Sequence, residues 1–277
     1  MSSFGGKMPE LPEVASRARE MDKSLTGKTI STVEILQPKC LNLPVEDFQM
    51  ALKQARILKT TYHGKWIQVK LSTGWLLINL GMGGDILVTS REKIPQKYVF
   101  RAEFSDGSCL SIRFWWFGYI HFCLPADLKD HKMTAKLGAN VLDITQIEFM
   151  EKVRTHKGAI KQFLLDQTNF AGIGNAYIHD ILFLAKLHPN RKLQSLSDDE
   201  ISNLYTSIHK GLEPSLEKAG AFYEKDIYGN KGGFTMDEII IGYREGSPCP
   251  ICSTSNRWIW FVNVSFATHP LRIVQEY

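Results

Sequence analysis

Between Thr29 and Phe122 the chain breaks into a run of short segments of one texture, and that run limits the possible fold more than any other feature. Thr29–Leu36, Ala55–Tyr62, Trp66–Leu71, Trp75–Leu80, Ile86–Thr89, Val99–Phe104, Ser111–Phe114 and Tyr119–Phe122 are rich in β-branched and aromatic residues. Turn dipeptides such as Thr73-Gly74 and Asp106-Gly107 separate them, a pattern that predicts an antiparallel sandwich or barrel. Ahead of the run, Val14, Ala18, Met21 and Leu25 recur at three- and four-residue spacing, which predicts a helix over Pro12–Leu25 stopped by Gly27. Beyond Leu128 the period turns helical: Ile144–Arg154, Ile160–Leu165, Ala176–Ala185, Asp198–Leu212 and Leu216–Ala219 are predicted helices, with Ser197 as N-cap before a first turn of acids. Tyr223–Gly233 is polar and glycine-rich and reads as mobile, and strand texture returns at Ile239–Ile241 and Trp258–Phe266 around a CxxC. The length, 277 residues, suits two domains of about 100–200 residues each. One large domain is the alternative.

Hydrophobic residues make up 44% and charged residues 22%, which excludes a disordered, collagenous or multi-span membrane protein. Lys and Arg number 33 against 29 Asp and Glu, so the mild positive balance of +4 permits a polyanion partner without demanding one. The five cysteines are odd in number and scattered, unlike a disulfide framework, and suggest a reducing compartment. No apolar run approaches the roughly 18 residues of a spanning helix, so the expectation is a soluble, intracellular monomer, cytoplasmic or nucleoid-associated, with no membrane partner.

The segment Met8-Pro9-Glu10-Leu11-Pro12-Glu13-Val14 carries the most chemistry. A proline at a chain terminus offers a secondary amine that attacks a sugar aldehyde carbon and forms an iminium. Glu10 could then shuttle protons at the sugar, and Glu13 could fix the amine or the helix end. A proline-initiated helix with acids complementing its dipole fits the same residues. Lys65 leaves a glycine turn into a strand, as a phosphate ligand or a solvated charge. Asn175 closes Gly172-Ile173-Gly174-Asn175 before an apolar helix, where it can serve as N-cap while the loop takes a phosphate. Met82 sits in a glycine-rich tip after an apolar strand and is expected to be exposed; for Met82 and Phe117 core packing is the competing role.

These landmarks come in one order: Pro9-Glu10-Leu11-Pro12-Glu13-Val14, His63-Gly64-Lys65, Leu80-Gly81-Met82-Gly83-Gly84, Phe117-Gly118, Gly172-Ile173-Gly174-Asn175-Ala176-Tyr177 and Gly246-Ser247-Pro248-Cys249. Together they resemble the formamidopyrimidine-DNA glycosylase and endonuclease VIII family, closest to the formamidopyrimidine branch, over nearly the whole chain. The resemblance implies an α+β protein. Its parts would be an N-terminal antiparallel β-sandwich with flanking helices, a helical domain with a helix-two-turn-helix, and a β-hairpin finger. The implied boundaries are 8–127 for the catalytic sandwich, 128–222 for the helical DNA-binding domain, 223–240 for a mobile lesion-side loop and 241–277 for a degenerate zinc-finger hairpin. It further implies Pro9 as Schiff-base nucleophile, Glu10 as general acid/base, Glu13 and Lys65 as supporting catalytic groups, and damaged double-stranded DNA as partner. Lys65, Asn175 and Lys161 would hold DNA, with Met82, Trp115 and Phe117 filling the gap left by an extruded nucleotide, since an unstacked duplex needs an apolar replacement. The implied activity is a bifunctional glycosylase and AP lyase acting on oxidised purines, with a catalytically impaired damaged-DNA-binding homologue as the alternative.

The chain departs from the family pattern in three places. Where the family carries Asp-Pro-Arg-Arg before Phe-Gly, this chain has Arg113-Phe114-Trp115-Trp116, so the arginine that inserts opposite the lesion falls on Trp115. Tryptophan stacks but lacks arginine's hydrogen-bonding fork, which puts opposite-base selectivity in question. In the finger, Cys249 and Cys252 supply half a zinc site, but the second pair falls on His269 and Arg272 and the phosphate-gripping arginine on Val264. Cys249, Cys252 and His269 make at most three ligands, short of a closed tetrahedron. The two cysteines are therefore either a partial metal site or remnants, and the chemistry is expected to need no cofactor. Alternating apolar residues from Trp258 to Phe266 could hold the hairpin without metal. Lastly, Met1–Lys7 precede the family pattern and acylate Pro9, so a start at Met8 with removal of that methionine is expected.

Overall fold

A computed structural model describes residues 8–253, 255, 257–261 and 264–268. Its chain divides into two compact units, one of residues up to Leu137 with Ser215–Gly233, the other Gly138–Pro214 with the residues from Phe234 onward.

In the first unit helix α1 (Leu11–Leu25) leads into eight strands: β1 (Ile30–Ile35), β2 (Ile57–His63), β3 (Trp66–Leu71), β4 (Trp75–Asn79), β5 (Asp85–Ser90), β6 (Phe100–Phe104), β7 (Ser108–Arg113) and β8 (Tyr119–Cys123). They form two four-stranded antiparallel sheets, ordered β1-β6-β7-β5 and β2-β3-β4-β8. Alternate residues of each strand meet in one core: Phe100, Ala102, Leu110 and Ile112 from the first sheet, and Ile67, Val69, Leu76, Ile78 and Ile120 from the second. This is the expected sandwich. Val14, Ala18, Met21 and Leu25 of α1 join that core, as their helical spacing predicted. Helix α2 (Val45–Leu52), which the sequence reading passed over, adds Phe48 and Leu52. The outer face of the second sheet is also covered, around Trp66, Leu77 and Cys123 with Leu128 and Leu137 packed against them. Residues 128–137 thus belong to the sandwich, and its boundary moves from the expected 127/128 to 137/138.

The second unit contains α3 (Gln146–Thr155), α4 (Ile160–Leu165), α5 (Ile178–Ala185) and most of α6 (Asp198–Glu217). Ser197 and Glu200 cap α6 reciprocally: the Glu200 carboxylate accepts the Ser197 N–H (2.9 Å) and the Ser197 hydroxyl accepts the Glu200 N–H (3.2 Å). The expected break before Leu216 does not occur, because α6 runs on through Pro214. Leu212 and Ser215 on either side are fully buried, while Lys210, whose carbonyl loses its partner, is exposed. Strands β9 (Arg257–Phe261) and β10 (Val264–Thr268) pair as the expected hairpin.

Candidate active site and nucleic-acid interface

Pro9 and Glu10 are buried at the entrance to α1. Glu10 is the residue before the helix, and its backbone N–H donates to Glu13 Oε2 (3.0 Å). The other Glu13 oxygen accepts the Ala221 N–H (3.1 Å) and the Ser215 hydroxyl (3.4 Å). Glu13 is therefore a buried acceptor of hydrogen bonds at the helix start. Of the two roles read for it, holding the helix end is the one these contacts display.

Lys65 lies in the two-residue turn between β2 and β3, half-buried. Its backbone carbonyl accepts a hydrogen bond from Asn79 Nδ2 (3.1 Å), while Asn79 Oδ1 accepts the Gly81 N–H (3.0 Å). One amide side chain thus ties the lysine turn to the Gly81-Met82-Gly83-Gly84 loop. The sequence reading overlooked Asn79, although a lone amide ending an apolar strand was a visible signal.

The loop carrying Met82 meets the aromatic segment directly. Met82 N–H donates to the Trp116 carbonyl (2.7 Å) and Trp115 N–H donates to the Met82 carbonyl (2.9 Å). Met82 is half-buried rather than fully exposed as expected, because this backbone pairing draws it against its partner. Trp115, Trp116 and Phe117 are 53%, 65% and 65% exposed, which removes core packing as the role of Phe117. Phe117 also sits at φ +60°, a left-handed conformation costing a side-chain-bearing residue about 1–2 kcal/mol. Strain held on an exposed aromatic points to function. Glycines make the close approach possible: a Cβ on Gly81 would lie 2.3 Å from the Trp116 carbonyl oxygen, and one on Gly118 2.3 Å from the Phe114 ring.

In the second unit Asn175 is exposed, but it is not the N-cap of α5, which starts at Ile178 after Tyr177. Residues 175–177 instead form a turn closed by the Ile178 N–H on the Gly174 carbonyl (3.2 Å), so the helix begins two residues later than the spacing suggested. Asp180 of α5, also overlooked, is buried and accepts the N–H groups of Ile240 (2.8 Å), Ile241 (2.9 Å) and Gly242 (2.8 Å). Burial raises its pKa against those three donors. The segment it holds carries Tyr243, whose hydroxyl donates to the Asn175 carbonyl (3.4 Å). A single acid in the largely apolar stretch Ile178–Ala185 was its sequence signal. Lys161 in α4 is nine-tenths buried, and burial brings its amine down to about 8. That is not the solvated lysine an interface usually presents.

Cys249 is buried, Cys252 exposed, and neither is in a disulfide. The Ile251 N–H donates to Cys249 Sγ (3.4 Å). Among the described residues no three His, Cys, Asp or Glu side chains come together as a metal site, and a structural zinc needs four ligands. The described donors therefore do not fit a closed zinc site. His269 and Arg272 lie outside the described residues, as do Met1–Lys7, and for Val264 only the backbone is described. Among the described residues no helix is long and apolar enough to cross a membrane.

Residues 8–114 match the family described as the formamidopyrimidine-DNA glycosylase N-terminal domain, and 137–225 the formamidopyrimidine-DNA glycosylase H2TH domain. Similar proteins include the formamidopyrimidine-DNA glycosylase of Pelotomaculum thermopropionicum, 34% identical over 253 residues covering 88% of this chain and 91% of that one. The Cronobacter sakazakii enzyme of the same name is 32% identical over 264 residues, covering 89% and 93%. Among solved structures, a Lactococcus lactis Fpg mutant in complex with a Fapy-dG containing DNA superposes with a TM-score of 0.86 at 25% identity, covering 95% of this chain and 98% of that one. The Lactococcus lactis Fpg with an abasic site containing DNA gives a TM-score of 0.85 at 25% identity, covering 94% and 98%.

Proposed function

The chain belongs to the formamidopyrimidine-DNA glycosylase family, and from that premise we propose that it removes oxidised purines from damaged duplex DNA and then cuts the strand. It is a base-excision repair glycosylase with AP lyase activity. The Pro9 nitrogen attacks C1′ of the extruded nucleotide and the base leaves. Glu10 delivers a proton to the sugar ring oxygen as the ring opens, leaving an iminium between Pro9 and C1′. Loss of a C2′ proton then expels the 3′ phosphate, a second elimination expels the 5′ phosphate, and hydrolysis returns the amine. The nitrogen can do this only as the chain terminus, so the active form begins at Pro9. No cofactor enters these steps.

DNA binding divides by unit. Lys65 in the first unit and Asn175 in the second meet backbone phosphates, while Met82, Trp115 and Phe117 occupy the vacancy of the extruded nucleotide. The observation that carries this reading is the exposed ridge of Trp115, Trp116 and Phe117, whose two tryptophans pair with Met82 through backbone hydrogen bonds and whose phenylalanine sits on a strained turn, an arrangement suited to stacking on bases. The protein acts where its DNA is, inside the cell. Single-turnover excision from duplexes carrying one oxidised purine tests the proposal. Release of free base with a nicked strand is the expected product; binding without release would favour an impaired DNA-binding homologue.

A further inference from the structure

Helix α1 carries Glu13, Arg17, Glu20 and Ser24 at spacings of four, three and four, which places them along one face. Each of them meets the returning segment Ser215–Gly233. Glu13 accepts the Ala221 N–H and the Ser215 hydroxyl; Arg17 pairs with Glu224 at 3.2 Å; Glu20 accepts the Ile227 N–H at 3.1 Å; Ser24 meets the Tyr228 hydroxyl. Strand β5 adds the Val88 N–H on the Ile227 carbonyl (2.7 Å), and Ile227 is fully buried in the sandwich core. Of the segment expected to be mobile, Glu224, Ile227 and Tyr228 are thus fastened, and Ser215 and Ala221 are held just ahead of it. The same helix opens on Glu10, whose N–H holds the second oxygen of Glu13.

Resting on the glycosylase reading, we propose that Arg17 and Glu224 are positioning residues. They lock residues 220–228 onto α1, so that Glu13 bridges Ala221 to Glu10 and the placement of the segment sets the placement of the attacking terminus. Stability alone does not account for the pair. Arg17 is 1% exposed, its Nε has no hydrogen-bond partner among the described residues, and replacing a buried ion pair by apolar residues of similar volume often costs no stability. What the ion pair supplies is direction. Arg17 Nη1 donates to the Glu13 carbonyl (3.0 Å) while Nη2 reaches Glu224, so the fork accepts one register of the segment along the helix. A segment slipped by one residue would point Glu224 away and take Ala221 off Glu13. Base excision and cleavage at an abasic sugar both depend on this register, because the same terminal amine attacks C1′ in each.

The test uses Arg17→Met with Glu224→Met, which removes both charges together and leaves neither buried alone. Amide hydrogen exchange on the free 277-residue protein should speed up by about tenfold or more at residues 220–228 and also at 10–13, with β6 and β7 unchanged. Acceleration at 220–228 alone, or at neither, overturns the coupling. If the double variant loosens β6 and β7 too, Arg17→Lys decides: it keeps the charge pair but not the fork, and residues 10–13 should then exchange faster while β6 and β7 hold. No change at 10–13 there refutes the proposal. In the form beginning at Pro9, the double variant should lose about tenfold or more in kcat both for excising an oxidised purine and for cleavage at a preformed abasic site, with KM for each within about threefold of the parent. A kcat unchanged on both substrates, or a loss carried by KM instead, overturns the proposal. If the parent excises nothing yet the exchange behaves as expected, the glycosylase reading fails and the coupling stands.

Discussion

Replacing Phe117 by glycine should separate function from stability. Its ring is about one-third covered, so at about 1.5–3 kcal/mol for a fully buried phenylalanine the burial lost is about 0.5–1 kcal/mol. Glycine adds a backbone-entropy cost of about 0.5–1 kcal/mol. Against these, relief of the left-handed strain at φ +60° returns about 1–2 kcal/mol. The terms cancel to within about 1 kcal/mol, far from the roughly 3–5 kcal/mol that truncating a core aromatic costs. Excision should not cancel. A base stacked on an aromatic side chain is worth about 1–3 kcal/mol, so single-turnover release of an oxidised purine should slow roughly 5- to 150-fold. Cleavage at a preformed abasic site should slow much less, because that nucleotide has little stacking to lose. Urea unfolding at pH 7 reads the first quantity and duplex excision the second. A stability loss above about 3 kcal/mol would show that the ring is core, and unchanged excision would remove it from the wedge.

Asn79→Ala deletes the donor to Lys65 and the acceptor for Gly81, two hydrogen bonds worth about 0.5–1.5 kcal/mol each. Duplex affinity and excision should fall together, with Asn79→Asp intermediate because it keeps the Gly81 acceptor; wild-type activity in the alanine variant would refute the tie. The buried pair His121 and His131, with 2.8 Å between ring nitrogens, predicts acid sensitivity. Burial and the neighbouring imidazole hold His121 at about 4, and burial lowers His131. The unfolded chain takes up protons at about 6.5, so it binds more protons than the folded one between there and about 4. Stability should fall as pH drops through that window, by up to about 1.4 kcal/mol per pH unit and group, and level off below it. Urea midpoints that show the same slope in His121→Gln would contradict this. A strong chelator should leave the thermal midpoint nearly unchanged, since the described donors do not close a tetrahedron; stoichiometric zinc lost together with the fold would reveal another ligand.

Local texture made the sandwich legible. β3 matches its expected bounds, Trp66–Leu71, and the helical spacing of Val14, Ala18, Met21 and Leu25 marked a buried face correctly. Helix α2 was missed because eight residues hold too little periodicity, although Pro44 before two first-turn acids was a start signal. The N-cap was placed two residues early, at Asn175 rather than Tyr177, because glycine spacing does not say where helical dihedrals begin. Leu216–Ala219 looked separate because Pro214 normally ends a helix, and burial of Leu212 and Ser215 overrode it. Pro9, Glu10, Lys65 and Met82 were visible as motifs. Apart from Asn79, the contacts that support the site were not, since Trp116 on Met82, Ala221 on Glu13 and Glu224 on Arg17 are partnerships between residues distant in sequence. Pairings of that kind are fixed by tertiary packing and leave no local period.

The identity of the attacking amine is the central claim, and trapping tests it most directly. A form beginning at Pro9 and the 277-residue form beginning at Met1 are each mixed with abasic duplex and borohydride, which reduces an iminium to a permanent bond. The shorter form should yield a covalent protein–DNA adduct and the longer one none, because an acylated proline nitrogen has no lone pair to offer. Equal trapping by the two forms would assign the chemistry to another amine, with Lys65 the first to replace. A folded shorter form that binds the duplex and traps nothing would contradict the glycosylase mechanism itself.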